Sequence, residues 1–328
     1  MKRSDFVMRG VMAVAWLGSG GLIPTMVRAQ ASAWPTRPIK VIVPTAPGGP
    51  SDLVARTWTQ AIGSEWNATF IVDNRPGASQ VIGTQAVATA APDGYTLLQA
   101  ASSMSTMPLV VDNLSFDVNK DFIAVSQTHL TPLVVVIDPK LPIKSMAELI
   151  KYAKDNPGKL SFGHTGEGSS QQLATRLLAQ KAGLTKLLEV PYKGSSQAHP
   201  DLISGRLSVM IDPVSAVYPY IKSGALRALA VTTSTRVDAF PDLPTVAESG
   251  VPGYEVSSWG GVFAPAATPK DIVERIHQAL RKSLETPENR KKFADWGLTA
   301  KTSTPAAFDR FVKSEVTRWR AVMLAPQT

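Results

Sequence analysis

Apolar and polar positions follow two rhythms along the chain. Ile39–Val43 is a β-branched run, which predicts a strand. It ends in Thr45-Ala46-Pro47-Gly48-Gly49-Pro50-Ser51-Asp52, after which Leu53, Val54, Trp58 and Ile62 recur at helical spacing. Thr69–Val72 predicts the next strand, Gly83–Ala90 a helix, and Tyr95–Gln99 a third strand that runs into Ala100-Ala101-Ser102-Ser103. This alternation predicts a mostly parallel sheet with helices on both faces.

The pattern then restarts. Leu133–Ile137 predicts a strong strand, and Ser145 with Glu148 has the spacing of a helix-capping box. Leu160–Gly163 leads into a second glycine-rich turn, Gly166-Glu167-Gly168-Ser169, and a helix from Gln171 to Ala182. Strands are expected at Leu188–Tyr192, Leu207–Ile211 and Ala228–Val231, and extended chain again at Val256–Phe263. Pro269–Leu284, Glu288–Trp296 and Pro305–Leu324 read as helices that could pack on either unit. Two α/β units follow: residues 30–132 with 256–328, and residues 133–255. Two crossings between them make a hinge, and a hinge between two lobes makes a cleft.

The N-terminus adds a compartment. Lys2, Arg3 and Arg9 precede an uncharged stretch of 18 residues, Gly10–Val27, that holds four glycines and Pro24. Val27-Arg28-Ala29 offers small residues before a cut. Residues 1–29 therefore read as a secretory signal cleaved near Ala29, short for a membrane span. A periplasmic protein is expected. Its removal takes four bases and one acid from 34 against 26, leaving 30 against 25, a net of +5. That mild field suits anionic solutes. No basic run marks a nucleic-acid surface. With no cysteine, disulfides, thiolate metal sites and a cysteine nucleophile are all excluded.

The chemistry gathers at the two glycine turns. Ligands of α/β sheets sit beyond the carboxyl ends of strands. There the glycines admit a close approach and the next helix starts with unpaired N–H groups, which suits an anion. The alternative, glycine for steric reasons alone, stays open for either turn. A phosphate loop is excluded because no lysine follows Gly48-Gly49, and Gln171 stands where a dinucleotide fingerprint needs its last glycine. No G-x-S-x-G elbow is present. His129, His164, His199 and His277 show no metal-ligand spacing. His277 is expected on a surface helix and His199 in a loop before Pro200. His164 lies inside the second turn. Asp73, Asp93 and Asp212 read as turn caps.

Taken in order, several motifs resemble one family. They are Pro47-Gly48-Gly49-Pro50-Ser51-Asp52 with Ala55-Arg56, Val72–Ala78, Pro92–Leu98, Gly166-x-Gly168-Ser169, Val190–Gly194 and Phe240–Gly250. The chain is identified by them as a member of the Bug/TctC family, receptors of tripartite tricarboxylate transporters. The resemblance implies a type II periplasmic-binding-protein fold, two α/β lobes joined by two crossing strands around a cleft. It implies capture of a small carboxylate for delivery to membrane permease subunits, by a monomer, with no cofactor, no metal and no catalysis. Carried over residue by residue, the ligand contacts are Thr45, Ala46, Pro47, Gly48, Gly49 and Asp52, then Ser102 and Ser103. On the second lobe they are His164, Thr165, Gly166, Gly168, Ser169, Tyr192, Lys193, Gly194 and Asp212. The chain departs from the family pattern with His164 for a serine, Gln172 for a histidine, and Thr45-Ala46 where many members are bulkier. A receptor serving a signalling partner, and an exported hydrolase using His164 or Ser169, are the alternatives.

Overall fold

The structure, a computed structural model, describes residues 34–325. The compact unit begins at Pro35, and the expected signal, residues 1–29, lies outside the described residues. The chain runs β1 (Ile39–Val43), α1 (Pro50–Trp66), β2 (Phe70–Asn74), a 3-10 turn (Ala78–Gln80), α2 (Val81–Ala88), β3 (Thr96–Ala101), α3 (Ser103–Val110) and β4 (Phe122–Ile137). There follow α4 (Met146–Asp155), β5 (Ser161–His164), α5 (Ser170–Ala182), β6 (Leu188–Pro191), α6 (Ser195–Ser204), β7 (Val209–Pro213), α7 (Val214–Lys222) and β8 (Arg227–Val231). The last elements are β9 (Ser257–Pro265), α8 (Lys270–Leu284), α9 (Pro287–Asp295), β10 (Thr299–Ala300) and α10 (Pro305–Leu324).

The strands are ordered β2-β1-β3-β9-β4-β7-β5-β6. The outer strands are parallel, β1 with β2 and β3, and β5 with β6 and β7. The expected mostly parallel sheet is corrected at the centre, where β9 and β4 run antiparallel to their neighbours. β4 belongs to both halves. Phe122–Pro132 pairs with β9, and Leu133–Ile137 pairs with β7 and β8. Pro132 has no N–H to give either ladder, so it suits the point where the strand changes partners.

The sequence predicts only the last part of β4. Its first part hides because Ser126, Gln127, Thr128 and His129 are polar yet buried. Most of their polar groups are bonded within the protein, Gln127 Nε2 excepted. Ser126 Oγ donates to the Ser303 carbonyl at 3.0 Å, and Gln99 Nε2 donates to Thr128 Oγ1 at 3.1 Å. Burial pushes the His129 imidazole down to about 4, so it is neutral. Its ring lies against β9, where a Cβ at Gly260 would fall 2.1 Å from His129 Cε1. Glycine is required there by the close approach.

Two corrections concern histidines. His199 lies in α6 and His277 in α8, and both are buried. Helix α10 packs on both halves. Phe308 and Val312 join the core of β3, β9 and Trp259, whereas Trp319 and Val322 join that of β5, α5 and β7. Between them, buried Glu315 accepts from the indole N–H of Trp319 at 2.9 Å and of Trp259 at 3.4 Å.

One residue ties the two crossings together. Thr232 is fully buried. Its N–H donates to the Leu133 carbonyl at 2.9 Å, and its carbonyl accepts the Val256 N–H at 2.8 Å. Its hydroxyl reaches the Val256 carbonyl at 2.6 Å and the Leu133 carbonyl at 3.1 Å. Thr232→Val keeps the shape and removes the hydroxyl. It should lower stability by about 1–3 kcal/mol in urea unfolding, with Thr232→Ser nearer to wild type. An unchanged midpoint in the valine variant would show that the hydroxyl does not hold the crossing.

Candidate functional site

The registers place every expected site loop on two facing edges. In the first lobe, β1, β2 and β3 are parallel, so the loops after Val43, Asn74 and Ala101 share one edge. Ala101 pairs with Gly260, close to the Ser257–Pro132 crossing. In the second lobe, the loops after His164, Pro191 and Pro213 share an edge, and Pro213 pairs with Leu133. Both carboxyl edges therefore converge on the Pro132–Leu133 step of β4. Gly168 of the second turn closes on Val110 and Thr106 of α3, where its Cβ would lie 2.8 Å from Val110 Cγ1.

Gly48 (φ 84°) and Gly166 (φ 115°) have left-handed backbones, and a Cβ on either would meet nothing within 4 Å. Packing is thus not the reason for glycine there. The turn conformation is, and it leaves open space above each turn. Leu53 is where α1 first finds its intrahelical acceptor, the Gly49 carbonyl. The amides before it have no carbonyl in the helix to bond.

The two turns are braced by the same device. The Gly48 N–H donates to Asp52 Oδ2 at 2.9 Å, and the Gly168 N–H donates to Gln172 Oε1 at 2.9 Å. In both, a glycine amide is held by the side chain four residues on. An arginine four residues further anchors that side chain. Arg56 Nε donates to Asp52 Oδ2 at 3.1 Å. Arg176 forks onto Glu189 with two bonds of 2.9 Å, and Gln172 Nε2 donates to the same carboxylate at 3.0 Å. Asn74 completes the first brace, accepting from Arg56 and donating to the Thr45 carbonyl, each at 3.1 Å. Burial alone would raise the Asp52 and Glu189 carboxyls. The arginine and amide donors outweigh it and hold both below their ordinary values.

Each expected contact has a definite place. Ala46, Pro47 and Gly48 are exposed, Thr45 and Gly49 half-buried. Asp52 is buried and faces its own loop. The hydroxyls of Ser102 and Ser258 share a bond of 2.9 Å, and Ser103 Oγ donates to Gln80 Oε1 at 2.7 Å. His164 is buried, its Nδ1 lying 3.2 Å from the Gly166 amide and 3.0 Å from the Gly166 carbonyl. Ser169 Oγ caps α5 by accepting the Gln172 N–H. The Tyr192 hydroxyl donates to Asp201 at 3.0 Å, Lys193 is exposed, and Gly194 caps α6.

Asp212 is no turn cap. Fully buried, it receives Ser195 Oγ at 2.7 Å, His199 Nε2 at 2.8 Å and Gln171 Nε2 at 3.2 Å. Gln171 Oε1 accepts in turn from Thr165 Oγ1 at 3.1 Å. Asp212 thereby orients Thr165 from behind. Sequence reasoning passed over Arg56, Asn74, Gln171 and Glu189 as working parts. The i,i+4 spacing of Asp52 and Arg56 was the one local signal. Gln80 was missed too, and it is left-handed (φ 75°) beside left-handed Ser79 (φ 53°). Each such residue costs on the order of 1–2 kcal/mol where glycine would be free. A hollow lined by Arg176, Gln180, Leu184, Lys186 and Glu189 opens beside the second half of α5, behind the second brace.

The family model described as "Tripartite tricarboxylate transporter family receptor" matches residues 54–326. Protein BugT of Bordetella pertussis is 37% identical over 300 residues, covering 90% of each chain. Among solved structures, R. palustris Rpa4515 with adipate is 35% identical with a TM-score of 0.77, covering 88% of this chain and 97% of that one. MatC (Rpa3494) from Rhodopseudomonas palustris with bound malate is 29% identical with a TM-score of 0.73, covering 88% and 99%. The expected α/β fold of two lobes joined by two crossing strands is the fold found.

The first brace has a pH signature. Because the folded Asp52 carboxyl lies below its unfolded value, near about 3.9, its contribution is complete above that value. It is lost as pH falls through the lower folded value. The gap in urea midpoint between wild type and Asp52→Asn should hold constant above about pH 5 and narrow below about pH 4. A gap that stays the same width down to about pH 3 would place the brace elsewhere.

Proposed function

We propose a capture function for this chain, which belongs to the tripartite tricarboxylate transporter receptor family: it binds a small carboxylate between its two lobes and delivers it to membrane permease subunits. The observation that carries this is the pair of open, left-handed glycines, Gly48 and Gly166, on strand edges that converge at one crossing. Amides at such turns are rigid donors, and hydrogen bonds to a carboxylate are the strong, charge-assisted kind. Adipate and malate in the two related structures belong to the same chemical class. The site contacts are the residues of loops 45–49, 102–103 and 164–169, with Tyr192, Lys193 and Gly194 at the rim, and with Asp52 and Asp212 bracing from behind. Residues 30–132 with 256–328, and 133–255, move as the two lobes, hinged at β4 and the Val256–Ser257 step. α10 spans both. The protein works in the periplasm after loss of residues 1–29. Among the described residues no helix is long and apolar enough to cross a membrane.

A hydrolase would need His164 and Ser169 in one relay. Instead, His164 Nδ1 is engaged with Gly166, and Ser169 Oγ caps α5. A receptor for a signalling partner would share the capture step and differ only in what the closed form meets.

Calorimetry should find a carboxylate among adipate, malate, citrate and benzoate that binds and is recovered unchanged. Gly166→Ala, which forces a side chain into the left-handed turn, should weaken it at least about tenfold. Binding of a neutral solute such as adipamide, with no carboxylate bound, would overturn the proposal.

A further inference from the structure

Ser79 and Gln80 are consecutive non-glycine residues with left-handed backbones. Strain of this kind gathers at ligand clamps, where surrounding structure holds it in place. The surroundings here are specific. The Gln80 N–H donates to the Gly77 carbonyl at 2.9 Å, and its carbonyl accepts Thr84 Oγ1 at 2.9 Å. The side chain spans from the turn after β2 to the start of α3, where Oε1 accepts the Ser103 hydroxyl. That bond holds the amide by its oxygen. Nε2, on the other side, donates to no group among the described residues, although Gln80 is half-buried.

The position of Gln80 relative to the second lobe follows from α3. Ser103, Thr106 and Val110 recur three and four residues apart, so they line one face of the helix. Thr106 and Val110 are the residues on which Gly168 closes. Ser103, and the amide bonded to it, stand at the first turn of that same face. Beside them Ser102 is bonded to Ser258 in the crossing strand β9. The Gln80 amide therefore sits on the first-lobe wall, next to where the second glycine turn arrives. The arginines of the same edge are already engaged, Arg56 with Asp52 and Asn74, and Arg75 with Asp73.

We infer that Gln80 determines specificity, its Nε2 donating to a second acceptor group at the end of the ligand away from the carboxylate held by the glycine turns. The inference rests on the capture reading and narrows it to an elongated solute with an acceptor at each end, a dicarboxylate first of all. Its donor is a fixed, neutral amide in a position where glycine would be free of strain.

Calorimetry on wild type, Gln80→Leu and Gln80→Gly tests this with matched chain acids: succinate and butyrate, adipate and hexanoate, suberate and octanoate. Wild type should prefer at least one diacid over its monoacid. Both variants should weaken that diacid at least about tenfold and leave the monoacid within about twofold. Gln80→Gly should do so while melting no lower than wild type, because it relieves the left-handed strain. An unchanged preference, a wild-type preference for monoacids, or equal weakening of both acids overturns the role of Gln80 and leaves carboxylate capture standing. So does binding of citrate or benzoate with none of the six chain acids. If wild type binds no carboxylate at all, the capture reading falls and takes this inference with it.

Discussion

Two extended segments must pass between the lobes, and both pass Thr232. A crossing strand is a poor place for loose polar groups, since a buried carbonyl without a donor costs about as much as a lost hydrogen bond. The Leu133 and Val256 carbonyls lie at that point, and Thr232 meets the first with its N–H and the second with its hydroxyl. The junction is therefore buried and its carbonyls are satisfied, and the two strands cross it over only a few residues. Bending there spares the ladders of backbone bonds inside either sheet, but α10, which packs Phe308 and Trp319 into different cores, must shift with it. The constraint also fixes where the candidate site loops lie. With β4 shared, the carboxyl edges of both parallel sets end at the same step, Pro132–Leu133. The loops that face one another follow from that register.

The loops then need to be stiff, because amides position an anion only if they hold still. Here the two turns use one scheme with different chemistry. Asp52 and Gln172 each accept a glycine amide four residues back, and an arginine stands four residues ahead. Asp52 brings its own charge to Arg56. Gln172 is neutral, so Glu189 supplies the charge from β6 and binds both Gln172 and Arg176. A histidine at position 172 would compete for the same two partners through two ring nitrogens. Glutamine keeps one acceptor for Gly168 and one donor for Glu189.

Much of this was legible in the sequence, and the limits are physical. The β-branched runs announced β1 and the end of β4, and glycine-rich turns marked the strand ends. The first part of β4 was silent because its side chains are polar and their partners, Gln99 and Ser303, come from distant segments. His199 was misplaced because Pro200 suggested a loop, whereas α6 carries this proline inside the helix at the loss of one backbone bond. The site loops were visible as motifs. The braces behind them were not, since Arg56–Asn74, Gln172–Glu189 and Gln171–Asp212 join residues whose sequence separations carry no rule. Left-handed Ser79 and Gln80 left no signal either, because composition offers no warning where a side chain takes up a glycine's conformation.

A last consequence follows from where the cations are. Arg56, Arg75 and Arg176 lie near the turns, and each is bonded to a carboxylate of the protein. Apart from Lys193 at the rim, the groups left for a captured anion are backbone amides, hydroxyls and side-chain amides. A buried arginine paired to the ligand would bind it in the open and closed forms alike, and uniform affinity drives no change of shape. Donors divided between two lobes behave differently. On the proposed capture, an open form would offer one half of the set and a closed form both, so the ligand itself would favour closure by the difference. Opening would withdraw half of the bonds at once. A receptor that must hold its cargo and then surrender it gains more from such a divided, largely neutral grip than from a stronger one on a single lobe.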